Sequence, residues 1–141
     1  MSFQVGKRFG FECAHHLPDH QGECSTVHGH SYKFEVAVWG TRLGKFGSET
    51  GMIMDFHEIS TVVYEKVVDR LDHTDLNESM PELAKKYGIY TAVPPTAERL
   101  ALLIFHVLKR HLRDVFKTRI LSLKSITVWE TDKCWARYEE D

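Results

Sequence analysis

His15, His16, His28 and His30 fall within sixteen residues of a 141-residue chain that has nine histidines in all, and Cys24 stands among them in the run "GECSTVHGHSY". His28 and His30 are two apart, so in an extended chain their imidazoles project from one face, and Gly29 between them admits close approach of another backbone. If His15 joins them, three neutral nitrogen donors form a set suited to Zn²⁺ with a fourth tetrahedral position left open, the pattern of a catalytic centre. The plainer alternative is a group of loop and strand-end histidines hydrogen-bonded to backbone. Cys24, four residues before His28, fits either a fourth ligand that closes a structural site or a thiol beside an open one. A free thiol titrates near 8.5 and becomes a useful base only where a cation stabilises its thiolate. Spacing does not decide between these two roles.

Two further stretches carry candidate chemistry. In "RLDHTDLN", Asp72 directly precedes His73. The pair reads either as a helix-end cation with a neighbouring carboxylate or as a proton relay in which the carboxylate sets the tautomer and basicity of the imidazole. Glu130 in "TVWET" shares the parity of Ile126 and Val128 and is expected on the buried side of its strand. A buried carboxylate needs matching donors, and a ligand with two parallel N–H groups would supply them. Exposure at the strand end is the ordinary alternative.

The elements that must position these residues are legible in outline. Phe3, Val5, Phe9, Phe11 and Cys13 hold odd positions, with Lys7 the one polar exception, and predict a strand that runs out near His15. Tyr32, Phe34, Val36 and Val38 alternate in a second strand that begins at the HGH triplet. Parity puts His15 on the face of Phe9 and Phe11, and His28 and His30 on the face of Tyr32 and Phe34, so pairing of the two strands would bring three imidazoles together. Asp55 and Glu58 stand in capping-box spacing ahead of the stripe Phe56, Ile59, Val63, Val67 and Leu71, which predicts a first helix. Thr96 is the expected N-cap of a second, with Leu100, Leu103, Ile104, Val107 and Leu108 as its buried face. The long connection between them leaves room for a short helical turn around Leu83 to Tyr87, and two closing strands follow at "SITVWET" and "WARY". This order, ββααββ, predicts an α+β domain over residues 1–141 with an antiparallel sheet and two helices on one face.

Composition narrows the function. A net charge of −2, with both signs interspersed, argues against a polybasic surface for nucleic acid or membrane. The short apolar runs suggest neither a membrane span nor a secretory leader, and the expected location is the cytoplasm. Cys13, Cys24 and Cys134 form an odd set without CxxC spacing, which suits reduced thiols. The absence of HExxH disfavours a generic zinc hydrolase.

Taken in order, "FECAHHLP", C-x3-HGH, "GMIMDF", "RLDHTDLN", "PTAE" and "ITVWET" resemble the 6-pyruvoyltetrahydropterin synthase and 6-carboxytetrahydropterin synthase family over nearly the whole chain. Within it, the three-residue spacer Ser25-Thr26-Val27 is similar to the bacterial 6-carboxytetrahydropterin branch of queuosine and deazapurine biosynthesis, whereas biopterin-making relatives have five residues there. The resemblance implies the tunnelling fold, with subunits joined into an oligomeric barrel, commonly a hexamer built as a dimer of trimers. It implies Zn²⁺ on His15, His28 and His30, with Cys24 as the proton acceptor and Asp72 and His73 as the relay. By the same resemblance Glu130 anchors a small pterin substrate, and Thr96 and Glu98 lie in the segment lining its pocket. His16 departs from the family pattern, standing where relatives often have arginine, and the segment from Glu78 to Val93 is longer than usual. Two rivals accompany this expectation: a 6-pyruvoyl product, with elimination of triphosphate but no side-chain cleavage, and a non-catalytic module stabilised by zinc.

Overall fold

Alternation broken only at Lys7 produces the first strand, thirteen residues long. In the computed structural model, which describes residues 1–18, 22, 25–89 and 94–140, β1 (Phe3–His15) pairs antiparallel with β2 (His28–Gly40) along its whole length, from Phe3 opposite Gly40 to His15 opposite His28. The paired rows Phe9–Phe34 and Phe11–Tyr32 stack with ring centroids 5.5 Å apart, which locks the register, since a one-residue slip would turn every aromatic to the opposite face. Lys7, the polar exception in the pattern, lies over the Phe9 ring and donates to Ser60 Oγ at 3.0 Å.

The first helical segment, α1 (His57–Val63), continues through a π turn (Tyr64–Val68) into α2 (Asp69–Leu71). The π turn is the structural answer to two adjacent valines: it lets Val67 and Val68 both face inward beside Ile59, Val63 and Leu71. The expected capping box does not form. Asp55 Oδ1 accepts from His57 N–H at 3.0 Å, but Glu58 is drawn to Arg119 Nη2 at 2.7 Å. A charge-assisted partner distant in sequence, Arg119, outcompetes the local backbone donor.

Two expectations of the topology need correction. First, the connection between the helices holds more than a short turn: α3 (Leu76–Lys86) begins at Asp75, whose side chain accepts from Asn77 N–H, and buries Leu76, Met80, Leu83 and Ala84. Pro81 inside the helix and the polar composition conceal it in the sequence, although the Asp cap and the spacing of apolar residues are helical. Second, the sheet is mixed. The short strand β3 (Thr74–Asp75) pairs parallel with β1 at Cys13 and Ala14, and with β4 (Leu121–Trp129) and β5 (Trp135–Glu139) the order is β3-β1-β2-β4-β5.

α4 (Ala97–Arg119) is the long helix, capped by Thr96 Oγ1, which accepts from Arg99 N–H at 3.3 Å. Its predicted stripe of Leu100, Leu103, Ile104, Val107 and Leu108 is fully buried. Each such side chain contributes about 1.5–3 kcal/mol of burial energy, so this one face accounts for much of the core. The helix ends at Ile120 in the left-handed conformation (φ 57°), and β4 (Leu121–Trp129) and β5 (Trp135–Glu139) complete the sheet beside β2. No helix among the described residues is long and apolar enough to cross a membrane.

Candidate metal and relay site

His15 ends β1 and His28 begins β2, so their direct pairing brings the two rings to one end of the sheet, and His30 follows on the same face. The three ring centroids are 4.6, 4.8 and 4.9 Å apart, and the rings stand nearly perpendicular to one another. One nitrogen from each ring can point to a common centre, with all three inside 4.8 Å of one another. His15 is only 1% exposed, closing the inner side of the cluster.

Hydrogen bonds fix which nitrogens face that centre. His15 Nδ1 lies 3.0 Å from the Pro95 carbonyl, and His28 Nδ1 lies 2.7 Å from the Thr26 carbonyl. A carbonyl oxygen only accepts, so both Nδ1 atoms carry hydrogen and both Nε2 atoms present lone pairs. Tyr32 Oη, 2.9 Å from His15 Nδ1, braces the same side of the ring. Yet the two Nε2 atoms are 3.0 Å apart. Two lone pairs at that separation repel unless a cation stands between them. Nitrogens bound tetrahedrally to Zn²⁺ at about 2.0–2.1 Å are about 3.3 Å apart, close to the spacing found. The donor set thus fits a metal ion, and its outer partners are those that orient metal-ligating imidazoles. Burial, reinforced by the nearby His15 and His28 and opposed by Glu130, lowers the pKa of His30 and favours the neutral form a metal requires.

Asp72 and His73 form the turn that leads into β3. His73 takes a left-handed backbone conformation (φ 59°), and its N–H donates to the Glu12 carbonyl at 2.5 Å. Asp72 Oδ1 accepts from Glu12 N–H at 2.9 Å, and Asp72 Oδ2 lies 3.0 Å from His73 Nδ1. The Glu12 N–H bond, more than the His73 contact, holds the Asp72 carboxyl below the usual carboxylate range. It therefore stays ionised at neutral pH and keeps hydrogen on His73 Nδ1. His73 and His30 line a single open cavity of about 590 Å³, together with Glu12, Gly29 and Ser31.

The remaining expected residues divide. Glu130, one residue beyond β4, is part-buried, with its N–H on the Cys134 carbonyl at 3.2 Å, and its charge acts on both His30 and Tyr32. Among the described residues no cation pairs with it. Thr96 stands beside the cluster, because the neighbouring Pro95 carbonyl holds His15. Glu98 is exposed in the first turn of α4. Cys24 lies outside the described residues. Cys13 is buried in the core with its thiol pKa pushed far up by burial, and Cys134 is a free exposed thiol. Tyr32, Pro95, Thr26 and Glu12 are the supporting groups that sequence periodicity does not reveal. The one hint was the Tyr32 hydroxyl at a core position, which requires a polar partner.

A strand pair with a histidine cluster at its end, a carboxylate-imidazole turn beside it and helices on one face defines a class. A family model described as 6-pyruvoyl tetrahydropterin synthase matches residues 4–141, and the chain belongs to that family of enzymes. Among its relatives, the 6-carboxy-5,6,7,8-tetrahydropterin synthase of Haemophilus influenzae is 33% identical over 98% of this chain and 99% of its own length. The enzyme of the same name from Synechocystis is 39% identical over 95% of this chain and 91% of its own. The structure of Caenorhabditis elegans 6-pyruvoyl tetrahydropterin synthase covers 100% of this chain and 97% of its own with a TM-score of 0.75 at 22% identity, a likeness that shows the tunnelling fold.

Proposed function

We propose that the protein is a zinc-dependent 6-carboxytetrahydropterin synthase. With water, it would convert 7,8-dihydroneopterin triphosphate to 6-carboxy-5,6,7,8-tetrahydropterin, acetaldehyde and triphosphate, in queuosine and deazapurine biosynthesis in the cytoplasm. The observation that carries the metal-dependent part is the pair of tautomer-fixed imidazoles whose Nε2 lone pairs meet at 3.0 Å, with His30 completing the set. The choice of the carboxy product rests on the curated relatives of that name and on the C-x3-HGH spacing.

His15, His28 and His30 would hold Zn²⁺, which supplies Lewis acidity that lowers the pKa of substrate side-chain hydroxyls. Cys24, four residues before His28 in sequence, serves as the general base that removes a proton from the side chain. His73, with hydrogen held on Nδ1 by Asp72, accepts or returns a proton through Nε2. Glu130 accepts two parallel N–H bonds from the guanidine-like edge of the pterin and so sets the distance of its side chain from the histidines. Thr96 and Glu98 bound the pterin pocket. The unit works as an oligomeric barrel, a hexamer of two trimers: among the described residues, β5 has no neighbour on its outer side and β3 covers only two residues of β1, leaving edges for further copies.

The test is incubation of purified, metal-analysed protein with 7,8-dihydroneopterin triphosphate and identification of products by mass. Acetaldehyde with a carboxylated tetrahydropterin is expected. A product that retains the three-carbon side chain would make the chain a 6-pyruvoyl synthase instead. Turnover unaffected by full removal of the metal would refute zinc dependence.

A further inference from the structure

Asn77 closes the motif "RLDHTDLN" and has no part in the chemistry above. Its side chain makes a two-pronged contact with one backbone unit: Oδ1 accepts from His16 N–H at 2.8 Å, and Nδ2 donates to the His16 carbonyl at 3.1 Å. His16 is the residue directly after His15, where β1 leaves the sheet. β3 pairs parallel with β1 only at Cys13 and Ala14, so the amide of Asn77 acts as one more rung of that ladder, supplied by a side chain after the strand itself has turned into α3.

Asn77 is in turn held from below. Its own N–H donates to Asp75 Oδ1 at 3.0 Å. Four and five residues back from Asn77, His73 N–H and Asp72 Oδ1 are bound to the carbonyl and N–H of Glu12. Residues 72–77 are therefore stitched to residues 12–16 at both ends: the carboxylate-imidazole pair is fixed at Glu12, and the exit from His15 is fixed at Asn77. Without the upper stitch, the strand end that carries His15 would keep its β2 partner on one side and lose its hold on the other.

We infer that Asn77 is a positioning residue, whose carboxamide holds the His15 end of β1 in register with the Asp72–His73 turn, so that the metal site and the relay are set by one clamp. The coupling to turnover rests on the reaction proposed above; the effect on metal binding rests only on the histidine triad as a metal site.

The test compares three variants by zinc affinity (chelator competition), melting temperature and steady-state kinetics on 7,8-dihydroneopterin triphosphate. Asn77→Ala should weaken zinc binding by about tenfold or more, the size of effect seen when an outer support of a ligand is lost, and lower kcat with KM changed less than about twofold. Leu83→Ala, which removes core packing from the same helix without touching His16, should lower the melting temperature but leave zinc affinity unchanged. Asn77→Asp keeps the acceptor for His16 N–H and sets an oxygen against the His16 carbonyl; it should show a smaller loss of the same kind, and it carries the test if Asn77→Ala does not fold. Zinc affinity of a folded Asn77 variant within about twofold of the parent, or an equal loss in Leu83→Ala at matched melting temperature, overturns the inference. If the parent protein turns over no dihydroneopterin triphosphate, the functional proposal fails while the zinc comparison still decides the role of Asn77.

Discussion

Replacing Asp72 with asparagine removes a charge and leaves the shape. In the structure Asp72 Oδ1 accepts from Glu12 N–H at 2.9 Å, a bond the asparagine oxygen can keep, while Oδ2 faces His73 Nδ1 at 3.0 Å, where the amide would place an NH2 group. Donor then meets donor, so the imidazole must turn its lone pair to Nδ1 and carry hydrogen on Nε2, which makes it useless as a base on the cavity side. A positioned acid-base group is worth about 10²–10⁴-fold in rate. The pair is solvated in the single chain, with side chains 37% and 78% exposed, which puts the expectation at the lower end, about 10²-fold in kcat. His73→Ala should lose about as much, and the double variant no more than either, because the two act as a unit. Zinc content should stay at that of the parent, and the melting temperature should change by no more than about 2 °C, since both side chains are on the surface and the Glu12 bond survives. The depressed pKa of Asp72 has a defined sign: the interaction is fully present above the unfolded value and is lost as pH falls through the lower folded value, so it is constant over the neutral range. Initial rates of substrate consumption at neutral pH decide the matter. A rate for Asp72→Asn within about threefold of the parent, or losses that multiply in the double variant, would refute the relay.

Three other outcomes belong to the proposed function. Cys24→Ala should retain about one zinc per chain by elemental analysis and lose turnover by about 10²–10⁴-fold; loss of metal together with activity would make the cysteine a ligand. Glu130→Ala should weaken binding of a pterin analogue by about 10- to 100-fold in a calorimetric titration, the worth of a charged hydrogen-bonding group, with zinc content unchanged. Zinc at a hundred times its dissociation constant should add about 2.7 kcal/mol to stability and raise the melting temperature by about 8 °C, a shift that His28→Ala should abolish.

Much of the site is written in local patterns. Period two in β1 and β2 placed His15, His28 and His30 on the faces of Phe9 and Tyr32, and the register His15 opposite His28 follows once those faces pair. Thr96 was legible as a cap because a hydroxyl ahead of an apolar stripe has few other uses. What stayed hidden depends on contacts distant in sequence. Pro95 meets His15 across eighty positions, and Asn77 meets His16 across sixty-one. Glu58 has the spacing of a capping box, but a guanidinium from the end of α4 takes its carboxylate. The parallel bridge of β3 involves two residues, too few to leave a periodic signature, and Pro81 masks a helix whose inward face is otherwise regular.

In the proposed function three imidazoles, and no sulfur, hold the metal. X-ray absorption at the zinc edge of the metal-loaded enzyme tests it directly. A first shell of nitrogen and oxygen at about 2.0–2.1 Å that includes three histidine ligands is expected. A sulfur neighbour at about 2.3 Å would contradict it, because Cys24 would then close the site instead of working beside it.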